Sequence, residues 1–140
     1  MSVTISGDDC RIGISLSQPS ATYRRIANPL VIKCNIEISI LGLSISQAVD
    51  FEYASIISFY NDLFSAHAQL VGKAELVALD ATFDLSVVFS VREVLLQVTC
   101  LRRELPSMNL VLKAKSDQSY FVESLSELKS LLKDLDEQMR

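Results

Sequence analysis

Apolar and polar residues alternate along most of this chain, and the places where the alternation changes phase mark its turns. In residues 35–46, NIEISILGLSIS, Ile36, Ile38 and Ile40 hold even positions, whereas Leu43 and Ile45 hold odd ones. A two-residue loop at Leu41-Gly42 produces this shift, setting Ile40 opposite Leu43 and Ile38 opposite Ile45 on one face. A bulge in one long strand is the alternative. Gly42 supplies the positive φ that such turns need, while Leu41 suits them less well. The other face carries Asn35, Glu37, Ser39, Ser44 and Ser46. A sheet with one wet face needs a second layer over its apolar one.

The following residues change period. In DFEYASIISFYNDLFSAHAQLVG, Tyr53, Ile56, Ile57, Tyr60, Leu63 and Phe64 recur at helical spacing. Asp50 is the expected N-cap, Glu52 an acid in the first turn, and Gly72 the terminator. Across residues 77–89 the odd positions are apolar (Val77, Leu79, Ala81, Phe83, Leu85, Val87, Phe89), against Ala78, Asp80, Thr82, Asp84 and Ser86. So long a run predicts a bend near Asp80-Ala81. A phase change at Arg92-Glu93 pairs Val91 with Val94, Phe89 with Leu96 and Val87 with Val98. Arg-Glu is poor turn chemistry, which leaves a longer loop open.

MNLVLKAK then turns Leu110, Leu112 and Ala114 to one side. Asp117 caps a second helix, whose seam is Phe121, Leu125, Leu128, Leu132, Leu135 and Met139. At the other end SVTIS and RIGISLS flank GDDC as a hairpin, and QPSATYRRIANPL is a loop. No internal repeat is apparent. The expected fold is a single α+β domain over residues 1–140, an antiparallel meandering sheet with two α-helices packed on one face.

Composition narrows the function classes. The 140 residues are 49% hydrophobic and 21% charged, with a net charge of −4. That is a globular composition, and it argues against nucleic acid, which is bound through a concentrated basic footprint. The N-terminus lacks the pattern of a secretory signal, and no apolar run reaches the roughly twenty residues of a membrane span. Cys10, Cys34 and Cys100 have the spacing of neither a disulfide framework nor a zinc site, so a reducing cytoplasm is the expected compartment.

Candidate chemistry is sparse. His67 is the one histidine, no nucleophile elbow or phosphate loop appears, and catalytic, cofactor and metal residues are all read as none. Arg24-Arg25 and Arg102-Arg103 lie in or beside predicted loops, as solvated charge or contacts for an anion or an acidic partner. Asp134, Asp136 and Glu137 end the last helix, where its dipole disfavours negative charge. They are the candidate contacts for a basic protein partner, against the reading of a solvated terminus.

Three stretches together resemble the WapI-type family of bacterial immunity proteins, from about Leu30 to Leu132. They are FEYASIISFYNDL, GKAELVALDATFDLSVVF and LVLKAKSDQSYFVESLSELKSLL, with Asp117-Gln118-Ser119-Tyr120 the most specific piece. Gly72, Ala74, Leu76, Phe83 and Leu85 also match. Arg92-Glu93 departs from the pattern, which tends to have Gly at that turn. The resemblance implies a non-enzymatic protein that binds and neutralises a cognate toxin domain. A structural or oligomeric subunit, including a homo-oligomer, is the alternative.

Overall fold

The phase change at Leu41-Gly42 is a turn between two long strands, β3 (Val31–Ile40) and β4 (Leu43–Glu52). Ile40 pairs with Leu43 and Ile38 with Ile45, as the alternation predicts. Both turn residues have positive φ, 47° at Leu41 and 82° at Gly42, the signature of a type I′ turn. In this computed structural model, which describes residues 2–17 and 30–138, the GDDC hairpin also forms. It joins β1 (Ser2–Gly7) to β2 (Cys10–Leu16). The predicted loop QPSATYRRIANPL falls almost wholly outside the described residues, as does Met139.

The first helix starts later than predicted. Asp50 is not its cap: β4 continues through Glu52, and Asp50 pairs with Lys33 across the ladder. Helix α1 (Tyr53–Gln69) begins directly from the strand, without a side-chain cap. Its buried stripe is Ile56, Phe59, Leu63 and Ala66, so Phe59 lies in the core and Phe64 is exposed. Leu70, at φ 58°, ends the helix in the left-handed conformation. Gly72 instead opens β5 (Gly72–Val77). Its φ of 130° strains any side chain and so favours glycine, and an added Cβ would also sit a tight 3.2 Å from that of Ala66.

Two strand expectations also change. In β5 the buried residues are Ala74 and Leu76, followed by Ala78, while Val77 and Leu79 face solvent. The bend puts the core residues on even positions before it and on odd ones after it. Strand β6 (Phe83–Phe89) meets β7 (Val94–Arg102) through a four-residue connection, with Phe89 opposite Val94, Val87 opposite Leu96 and Leu85 opposite Val98. The two-residue register fails because the Ser90 N–H and hydroxyl both donate to the Glu93 carbonyl, at 2.9 and 3.1 Å, closing a wider turn. Val91 stands at its tip, 90% exposed.

Strand β8 (Met108–Ser116) completes the set, and after one turn of 3₁₀-helix at Gln118–Tyr120 helix α2 (Phe121–Gln138) follows. The α+β fold is therefore two antiparallel meanders, β1-β2-β3-β4 and β5-β6-β7-β8, with two helices. The strands divide because α1 intervenes: β5 opens a new sheet and does not pair along β4.

Although the sequence shows no repeat, the fold repeats: each sheet is a four-stranded meander followed by a helix. The buried positions of α1 (Ile56, Phe59, Leu63, Ala66) recur at the same spacing in α2 (Phe121, Ser124, Leu128, Leu131). The halves interlock, since α1 packs on β5 and α2 on β1, the first strand of the opposite half. Matching hydrogen bonds cross both seams, from Asp8 N–H to the Lys115 carbonyl (2.7 Å) and from Leu79 N–H to the Asp50 carbonyl (2.9 Å). At the first seam an added Cβ on Gly7 would come within 2.8 Å of Leu96. One core joins the halves: the edge-on ring pair Phe51–Phe83 (5.9 Å) bridges them, while a second pair, Phe89–Phe121 (5.2 Å), seats α2 on its own sheet. Among the described residues no helix is long and apolar enough to cross a membrane.

Candidate interaction surface

Helix α2 buries one stripe and exposes a charged back. Successive helical residues are about 100° apart, so Glu123, Glu127, Asp134 and Glu137, spaced four, seven and three, share an arc of roughly 80° on one flank. Ser126 and Ser130 fill the same side, and Lys133 borders it. Asp136 projects about 200° from Asp134, on the other side of the buried Leu135. The structure thus brings Asp134 and Glu137 together and separates Asp136 from them. Asp134 also accepts a hydrogen bond from Gln138 at 2.9 Å. Glu123 and Glu127 complete the row. Their i, i+4, i+11 spacing to Asp134 is visible in the sequence but extends beyond the last turn, to which the helix-dipole argument is confined.

The row is anchored to the first sheet. Glu127 Oε1 accepts from Thr4 N–H at 3.1 Å, and the buried Ser124 hydroxyl donates to the Thr4 carbonyl at 2.5 Å. These bonds satisfy backbone groups on the outer edge of β1, which an edge strand would otherwise leave open. Beside them a groove of about 340 Å³ runs between β1 and α2, lined by Thr4, Ser6, Arg11, Tyr120, Glu123 and Glu127. The motif Asp117-Gln118-Ser119-Tyr120 leads into it. Asp117 Oδ1 accepts from Ser119 N–H at 2.8 Å, and this bond holds the Asp117 carboxyl below its ordinary value.

The other singled-out residues lie apart from this flank. His67 Nε2 is 3.1 Å from the Gln118 carbonyl, and its ring stands edge-on to Phe89, tying the end of α1 to the start of α2. Arg102-Arg103 borders a groove of about 400 Å³ with Gln47, Asp80, Thr82 and Glu104, so the two cations face two acids. Asp80, bonded by Thr82, stays below its ordinary pKa and hence anionic. Arg24-Arg25 lies outside the described residues. The three cysteines are buried free thiols, and burial raises the pKa of each, that of Cys34 to about 12. Cys100 donates to Gln47 Oε1 at 3.0 Å, a bond across the two halves. Among the described residues no group of three His, Cys, Asp or Glu side chains is arranged to hold a metal.

Comparison with known protein families, curated proteins and solved structures finds no match to this chain.

Proposed function

We propose that this protein is a non-enzymatic binding module that neutralises a cognate bacterial toxin domain in the cytoplasm, as the resemblance to WapI-type immunity proteins implies. The observation supporting a basic protein partner is the row Glu123, Glu127, Asp134 and Glu137, held in register with β1 by the Glu127–Thr4 bond. A rigid row of like charge steers an oppositely charged surface into contact and raises the association rate. The buried thiols are poor nucleophiles, because desolvation disfavours the thiolate. Binding without chemistry is the role that these surfaces serve.

The test is to search the genes beside this one for a toxin domain and to co-express the two; a neighbourhood without one counts against the reading. Protection of growth and co-elution of the two purified proteins are expected. Growth arrest without protection, or turnover of a substrate by the purified protein alone, counts against the reading.

A further inference from the structure

Two exposed leucines stand at the tip of the β3–β4 hairpin, Leu41 at 81% and Leu43 at 56% exposure. Ile40 and Ile45, half-buried behind them, continue the apolar face of the sheet from the core out to this tip. Nothing in the stability of the fold calls for Leu41. Its φ of 47° is left-handed, a conformation that a type I′ turn ordinarily fills with Asn, Asp or Gly. Its side chain gains no burial in return. An exposed apolar residue in an unfavourable backbone conformation is a reason to look for a function.

The neighbouring turn says what kind of partner fits. Leu41 N–H points at the Asp9 carbonyl at 3.4 Å, so the Asp8-Asp9 turn of the first hairpin lies against the Leu41 turn. Both aspartates are exposed. Arg11 and Lys115 are the nearby cations, and neither forms an ion pair with them among the described residues. Two carboxylates without an ion pair among the described residues, beside two protruding leucines, complement an apolar socket rimmed with lysine or arginine.

We infer that this paired tip, Leu41 and Leu43 with Asp8 and Asp9, is an anchor that inserts into a basic-rimmed apolar socket on a protein partner. The inference deepens the reading above in naming a contact for its basic partner. Packing of an apolar anchor into a desolvated pocket acts mainly on dissociation, whereas an outlying charged row acts mainly on encounter. The surfaces are separable: the α2 row sets how fast the partner arrives, and the tip sets how long it stays.

The probe is a short synthetic peptide of alternating lysine and leucine, titrated into ¹⁵N-labelled protein. Amide shifts are expected at Asp8, Asp9 and residues 40–44. Leu41→Asn, which suits the left-handed turn, should weaken the peptide by about tenfold or more while leaving the thermal midpoint equal or higher. Shifts centred on α2, or unchanged affinity in Leu41→Asn, overturn the inference. The toxin domain is not used in this titration, so failure of the tip and failure of the immunity reading are separate results.

Discussion

Leu85 lies mid-strand, with Phe83 and Val87 on the same face, and is fully buried. Leu85→Ala should therefore cost about 2–5 kcal/mol, the range for buried leucine truncations, measured by denaturant unfolding. Val77 and Leu79 misled because apolar residues continued through a bend that moved the core to even positions. Cys34 gives a residue-scale pH prediction. Burial, then the nearby Asp50 carboxylate, raise its thiol from 9.0 to about 12 in the folded protein. Between those values the unfolded chain loses the proton while the folded one keeps it, so stability present below about pH 9 is lost toward pH 12. Cys34→Ala should flatten that part of an unfolding-midpoint profile. Asp84 shifts upward too, through burial and the neighbouring Glu75, and its Oδ1 has no hydrogen-bond partner among the described residues. A raised pKa makes the carboxylate the costlier form in the folded protein, so above the range where Asp84 titrates its charge is a penalty. Asp84→Asn should raise the midpoint there, and the gain should shrink in acid as Asp84 itself protonates.

At the scale of elements, a turn was readable where side-chain pairs fix it and unreadable where backbone groups do. Ile40–Leu43 pairing placed the β3–β4 turn, whereas the β6–β7 connection is set by Ser90 donating to the Glu93 carbonyl, which the apolar pattern does not encode. Asp50 is a similar case. An aspartate before helical periodicity resembles a cap, but its ladder position opposite Lys33 keeps it in the strand. Helix α2 was legible from its seam, yet the group fixing it against β1 is polar and sits inside the buried stripe. Ser124 is 1% exposed and donates to the Thr4 carbonyl. Ser124→Ala leaves that acceptor unpaired and should cost about 1–3 kcal/mol, the range for a buried group stripped of its partner. Hydrogen exchange should show β1 opening more than β6 in this variant. Equal loss of protection throughout would mean that Ser124 supports the whole core and not this edge.

For the whole molecule, the duplication escaped sequence reading because the halves share a pattern of burial and not of residue types: Phe59 and Ser124 hold matching positions with different chemistry. The same divergence gives the molecule one acidic helix. The flank of α1 carries Asp62 but no counterpart to the four-acid row of α2. Association with a basic partner should then depend on one side of the protein. Reversing Glu123, Asp134 and Glu137 to lysine, with Glu127 kept for its bond to Thr4, should slow association and weaken its salt dependence. The thermal midpoint should fall only modestly, since Glu123 and Glu137 are exposed and contribute little to stability, while half-buried Asp134 gives up its bond from Gln138. Reversing Asp136 alone should leave the rate nearly unchanged, because it projects from the opposite flank. Stopped-flow mixing with a toxin domain that passes the co-expression test, at two ionic strengths, separates the outcomes. If Asp136→Lys slows association as much as the triple variant does, the partner responds to net charge and not to the row. If neither variant changes the rate, α2 does not guide the encounter.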